Sequence, residues 1–232
     1  MRVDVSSAAD VDAFAASLRE VHVVCNNAGV SPLGPLWENT TGDWQWALGV
    51  NLWGVIHGVR AFVPRLVAQG EGHVVNTASV AGLISPPGMG VYNVTKHAVV
   101  ALSETLYQDL RLVTDQVRAS VLCPYFVPTA ITQSERNRPE ELKADKPTRS
   151  QLVARVMGDK AVSSGKVTAV MVAQFVFDAL AEERFYIYSH PHALGNVQTR
   201  MEDIVAGKNP SDPFAKRPEL GEQLRAALRA TE

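Results

Sequence analysis

The sequence predicts a parallel, doubly wound α/β sheet, and three observations carry that expectation. Short apolar runs at residues 21–25, 72–78, 117–123 and 185–188 alternate with longer stretches of helical periodicity. The first three runs lead into polar or Pro-containing segments, and ligands of such sheets bind outside the carboxyl ends of the strands. A chain of 232 residues, 46% hydrophobic and 20% charged, suits one domain with a sizeable core.

In chain order, residues 2–5 read as the end of a strand, followed by a helix from about residue 8 to 19. Residues 21–25 (Val-His-Val-Val-Cys) form a buried strand running into Asn26-Asn27-Ala28-Gly29, and a loop rich in Pro and Gly follows. Thr41 caps a helix that continues, with a break near Gly49, to residue 68. Gly54 and Gly58 lie four apart on it and would let another backbone approach closely. Residues 72–78, opened by Gly and apolar at the centre, form the central strand, with Ser79 at its end. Val91, Thr95, Ala98, Leu102, Leu106 and Leu110 then recur every three to four residues, the stripe of an amphipathic helix. Residues 117–123 are the next strand, and 127–165 are polar, with Pro139, Pro147 and many charges. Residues 167–181 are apolar and helical, and 185–188 a final short strand. From residue 190, Pro breaks alternate with helical pieces, ending in a surface helix at 222–229.

Several functions are disfavoured at this level. A formal net charge of −2, with no Lys/Arg run, gives no broad pull towards nucleic acid. No apolar stretch reaches membrane-spanning length, and Met-Arg-Val-Asp-Val lacks the apolar core of a signal peptide. Of the six His, His57 and His97 fall on helices, and His190 and His192 flank Pro191; none has metal-ligand spacing. Trp37, Trp44 and Trp46 read as core or cleft wall.

The chemistry concentrates between Ser79 and Lys96. Tyr92 and Lys96 are four apart and share a helix face, and Ser79 sits at a strand end, so the three can converge on one cleft. A free phenol has a pKa near ~10, too high to exchange protons readily at neutral pH. An ammonium at about 4 Å contributes roughly 4 kcal/mol at an effective dielectric of 20. That lowers the phenol's pKa by up to ~3 before desolvation takes some back. A Tyr so tuned is a general acid/base for a carbonyl/alcohol pair, with the Ser hydroxyl holding the same oxygen. Tyr-x-x-x-Lys alone equally describes a surface Tyr beside a solvated Lys.

It does not stand alone. Ser79 lies thirteen residues before Tyr92, with Asn26-Asn27-Ala28-Gly29 and Val50-Asn51-Leu52-Trp53-Gly54 upstream and Pro124-Tyr125-Phe126-Val127-Pro128-Thr129 downstream. From about residue 4 to 188 this set resembles the short-chain dehydrogenase/reductase family. The resemblance implies a Rossmann-like, three-layer α/β/α fold in one domain. It implies an oxidoreductase that interconverts a ketone or aldehyde and an alcohol with NAD or NADP. Ser79, Tyr92, Lys96 and Asn51 match the catalytic residues, Asn51 through a water relay to Lys96. Asp4 and Val5 match the end of the third strand, whose Asp meets the adenine; the alternative for Asp4 is a solvated loop carboxylate. Asn27, Ala28 and Gly29 match the strand end beneath the ribose, and Tyr92 and Lys96 also face the nicotinamide ribose. Pro124, Val127 and Thr129 match the carboxamide contacts. Residues 131–165 correspond to a substrate lid, 190–232 to a C-terminal extension, and helices 51–68 and 92–112 to a homodimer or homotetramer interface. Met89, Tyr125 and Phe126 point to an apolar substrate. With the family's strand order, Cys25 and Cys123 are separated by one strand, two spacings of ~4.8 Å, too far for a disulfide. Both are expected as buried small hydrophobes in a reducing cytoplasm.

The sequence departs from the family at two places. Tyr125 stands where the family usually has Gly after the Pro. No Gly-rich strand–turn–helix that would cradle a pyrophosphate occurs, so the chain reads as N-terminally truncated, without the first two strands and their helices. Residues 2–5 then lose their neighbour and residues 21–25 become an exposed apolar edge. The alternative function is accordingly a catalytically inactive fragment that serves as an assembly or binding partner.

Overall fold

The computed structural model describes residues 1–143 and 146–229; residues 144–145 of the expected lid and 230–232 of the expected extension lie outside them. Four parallel strands, β1 (Val23–Asn26), β2 (Gly72–Thr77), β3 (Val117–Cys123) and β4 (Tyr186–Tyr188), lie in the order β1-β2-β3-β4. Their register sets Asn26 beside Asn76 and Thr77 beside Leu122, so the carboxyl ends of β1, β2 and β3 open at one rim.

Side chains alternate across the sheet and divide the core into layers. Val24, Val74 and Ala119 face α1 (Ala8–Ser17), α3 (Gly54–Gln69) and α4 (Gly90–Val113), packing with Val11, Phe62 and Leu106. Val75, Leu122 and Ile187 face the other way, against Val172 and Ala179 of α6 (Ala169–Ala181). The result is the expected α/β/α arrangement. Among the described residues the remaining α-helices are α2 (Thr41–Ala47), α5 (Arg149–Ser163), α7 (Leu194–Val205) and α8 (Pro218–Arg229). Among the described residues no helix is long and apolar enough to cross a membrane.

Several expectations are corrected. Residues 2–5 form no strand, because no described strand lies beside them to take their hydrogen bonds. As expected from the same gap, β1 is an edge. Its Val23 is 48% exposed, and Cys25, expected buried, is exposed as well, while Cys123 is buried. β2 lies between the two thiols, and both are free. The cap of α2 is Thr40 rather than Thr41, in a reciprocal capping box with Asp43. Gly54 and Gly58 make room for side chains, not a backbone: a Cβ on Gly54 would lie 2.9 Å from Val5 Cγ2, and one on Gly58 2.0 Å from Asn26 Oδ1. Trp46 is core, but Trp37 is 85% exposed at the cavity mouth. The polar stretch holds a four-turn helix, α5, started by a Thr148/Gln151 capping box.

Candidate active site

The end of β2 and the first turns of α4 meet below a large open cavity at the strand rim. Ser79, in extended backbone, caps a single 3-10 turn, Val80–Gly82. Its Oγ accepts from the Ala81 N–H at 3.1 Å and donates to the Pro124 carbonyl at 3.2 Å, tying the tip of β2 to the tip of β3. Ser79 also hydrogen bonds the phenol of Tyr92. One turn along α4, Lys96 is 3% exposed, and its Nζ donates to the Thr77 carbonyl at 2.8 Å. The same Nζ lies 5.6 Å from the centroid of the Tyr92 ring. Ser79, Tyr92 and Lys96 therefore come together as the spacing requires.

Asn51 lies in a π-helical turn, Leu48–Trp53, where the Gly54 N–H reaches back to the Gly49 carbonyl. This is the break expected near Gly49, and such turns cluster at functional positions. Its side chain is fully buried and holds Val30 by both main-chain groups: Oδ1 accepts from the Val30 N–H at 2.8 Å and Nδ2 donates to the Val30 carbonyl at 2.9 Å. Nδ2 also donates to Thr95 Oγ1 at 3.0 Å. Asn51 thus welds the loop after β1 to the helix of Tyr92 and Lys96. A Cβ on the adjacent Gly29 would lie 3.6 Å from Asn51 Oδ1 and 3.7 Å from Lys96 Nζ, so Gly29 sits directly against both. Sequence reasoning did not assign Thr95 this role, since it read only as a member of the apolar stripe.

The other expected residues divide into two groups. Asn27 and Ala28 are exposed at the rim, and Asn27 Oδ1 accepts from Thr77 Oγ1 at 3.1 Å. Thr129 is exposed and caps the 3-10 segment Ala130–Asn137; Val127 is half-buried beside Leu122. All of these line the same cavity, as do Asp4, Val5, Pro124, Tyr92 and Lys96. The Asp4 carboxylate, however, accepts from the Ser6 N–H at 2.9 Å and the Ser6 hydroxyl at 2.7 Å, in the turn before α1. The loop reading of Asp4 therefore matches its local bonding. Tyr125 needs no Gly-like conformation. Its N–H donates to Ser189 Oγ at 3.2 Å, and its ring packs 4.3 Å from Phe126, beside His190 and His192.

The electrostatics differ from the expectation. Burial pushes the Tyr92 phenol up to about 12, opposed by the Ser79 hydrogen bond. Burial brings the Lys96 ammonium down to about 8. Cys123, fully buried behind the pair, has its thiol pushed up to about 12 by burial. Lys96 points at a carbonyl and lies beside the ring, so desolvation outweighs its pull on the phenol.

The rim fits the nicotinamide–ribose half of a dinucleotide: small exposed residues at 27–29, a buried ammonium against Gly29, and an open β3 tip at Val127 and Thr129. Among the described residues no Gly-rich turn is present for a pyrophosphate.

Comparison with known proteins agrees with this geometry. The family model described as short chain dehydrogenase matches residues 1–140. A crystal structure of a short chain dehydrogenase/reductase from Burkholderia phymatum in complex with NAD superposes with a TM-score of 0.91 at 52% identity, covering 93% of this chain and 79% of that one. The CLA biosynthesis dehydrogenase/reductase of Lactiplantibacillus plantarum is 31% identical over 216 residues, 89% of this chain and 75% of the relative. The 1-deoxy-11-beta-hydroxypentalenate dehydrogenase of Streptomyces exfoliatus is 36% identical over 190 residues, 81% of this chain and 61% of the relative. The chain thus spans between about three fifths and four fifths of these proteins.

Proposed function

The chain belongs to the short-chain dehydrogenase family of NAD(P)-dependent oxidoreductases, and on that premise we propose that it interconverts a ketone or aldehyde and the corresponding alcohol. The observation that carries this reading is the convergence of Ser79, Tyr92 and Lys96 at the rim of one cavity. When bound, the dinucleotide supplies or receives the hydride. Tyr92 gives its phenolic proton to the carbonyl oxygen in reduction and takes it back in oxidation. Ser79 turns its hydroxyl from the Pro124 carbonyl to donate to the same oxygen and fixes its distance from the phenol. Lys96 holds the nicotinamide ribose and carries the compensating positive charge, and Asn51 keeps the helix of both residues in place through Val30 and Thr95. Asn27, Ala28 and Gly29 receive the ribose, Pro124, Val127 and Thr129 the carboxamide, and Asp4 and Val5 the adenine side.

Residues 131–165 act as the substrate lid and 190–232 as an extension bordering it, within a single domain. Tyr125, Phe126 and Met89 on the cavity wall favour an apolar substrate. Exposed Trp53, just before α3, and exposed Val94 on α4, with buried unpaired His57 Nδ1 and His97 Nε2 near them in sequence, favour a homodimer or homotetramer through those helices. The free thiols are compatible with a reducing cytoplasm. The test is oxidation of NADH and NADPH by the chain with a panel of apolar ketones. Ser79→Ala is expected to reduce kcat/KM about 10²-fold or more; an unaltered value would remove Ser79 from the reaction.

A further inference from the structure

A buried ion pair joins two segments 95 residues apart, the start of α2 and the start of the lid. Asp43 Oδ2 accepts from the Thr40 N–H at 2.7 Å and the Thr40 hydroxyl at 3.0 Å, and its Oδ1 accepts from Arg138 Nη2 at 2.5 Å. Arg138 Nη1 reaches both oxygens of Glu135 at 3.3 Å, and the guanidinium lies 4.8 Å over the Trp46 ring. The two side chains of the pair are only 2% and 5% exposed. The pair ties residues 31–47 to the root of the lid. An isolated buried pair adds little net stability over an apolar replacement, but a planar fork with fixed partners defines a geometry.

That geometry leads to the catalytic rim. Trp46 packs in one cluster with Val30, Ala47 and Val91. Val30 is the residue gripped by Asn51, and Val91 precedes Tyr92 on α4. On the lid side, Arg138 directly follows the 3-10 segment that begins after Thr129, and the Ser134 hydroxyl accepts from the Ser31 N–H at 3.2 Å. One guanidinium thus touches both the wall of the cleft and the root of the lid.

We propose that Arg138 is a positioning residue for the substrate half of the site, setting the lid root against the cleft wall through Asp43 and Trp46. The proposal rests on residues 131–165 being the lid. It makes no contact with the reacting atoms and leaves the dinucleotide half untouched. Two readouts test it on the full chain. Arg138→Lys keeps the charge but loses the fork and the stacking on Trp46. It is expected to raise KM for the carbonyl substrate about tenfold, with kcat within about twofold and the Kd for NAD(P)H unchanged. Hydrogen exchange is expected to accelerate across residues 130–143 and to stay unchanged in β3. The double variant Asp43→Asn, Arg138→Gln, which removes both charges, is expected to behave alike. Equal KM in Arg138→Lys, unchanged exchange at 130–143, or failure of both variants to fold would each overturn the proposal. If the unaltered chain reduces no carbonyl compound, the oxidoreductase reading fails instead, and Arg138 is judged on the exchange alone.

Discussion

Lys96 Nζ donates to the main-chain carbonyl of Thr77 at 2.8 Å, and its distance to the centroid of the Tyr92 ring is 5.6 Å. The ammonium is anchored to the tip of β2, so it enters the site as a fixed buried charge beside the phenol. Its own charged state is the more vulnerable of the two, because burial lowers its pKa to about 8 while burial raises that of Tyr92 to about 12.

The pH dependence of carbonyl reduction follows from those two values. Reduction uses the protonated phenol, which persists across the working range below about 12, and the ammonium, which is lost as pH rises through about 8. kcat/KM for reduction is expected to be level below about 7 and to decline above about 8, with the break absent from Lys96→Met. A profile level to pH 10 in the unaltered chain would remove Lys96 as the titrating group. Stopped-flow or steady-state rates of NAD(P)H oxidation in constant-ionic-strength buffers measure it.

Asn51→Ala removes three buried hydrogen bonds and leaves the Val30 N–H and carbonyl without those partners. Each buried unsatisfied group costs about 1–3 kcal/mol, so a loss of roughly 2–6 kcal/mol is expected for the two. Urea unfolding measures it, and turnover should fall at temperatures where the variant remains folded. A loss under about 1 kcal/mol would mean that Asn51 does not weld the loop to α4.

Stability should also respond to acid through His73. The Ser120 hydroxyl donates to the Arg184 carbonyl at 2.7 Å, so it accepts from His73 Nε2–H at 2.8 Å, which sets the tautomer of the neutral ring. Burial first, and Arg118 second, bring the His73 pKa from 6.5 to about 4. The unfolded chain binds the extra proton first, so stability is complete above about 6.5 and is lost as pH falls through about 4. After allowance for solvent screening the loss is about 1–2 kcal/mol. Urea midpoints at pH 7.0, 5.5 and 4.5 for the unaltered chain and His73→Gln check it; parallel curves would assign the acid sensitivity elsewhere.

Much of this site was legible because its signals are local. β3 occupies the expected residues 117–123, since a short run holding Val117, Ala119, Val121 and Leu122, closed by Cys-Pro, has little other use. The Ser79, Tyr92 and Lys96 convergence followed from one strand end and one helical turn. What escaped was set by distant contacts or by solvent exclusion. The burial that reverses the tuning of Tyr92 depends on how the chain closes over α4. Arg138 shows no signal of its own, although the Thr40-x-x-Asp43 half of its environment has capping-box spacing. Helix α5 was hidden by its polarity, because much of it faces solvent and only part of one face meets Leu33 and Gly88. Residues 2–5 read as strand from side-chain pattern, but a strand also requires a neighbour.

The most direct measurement compares Tyr92→Phe with the unaltered chain in NADH- or NADPH-linked reduction of the best ketone from the panel. The proton donor is lost while the half-buried ring remains, so kcat is expected to fall about 10²–10⁴-fold, with the thermal transition and NAD(P)H binding unchanged. Turnover by Tyr92→Phe within about twofold of the unaltered chain, in a folded protein that binds NAD(P)H, would show that the reacting oxygen receives its proton from another group.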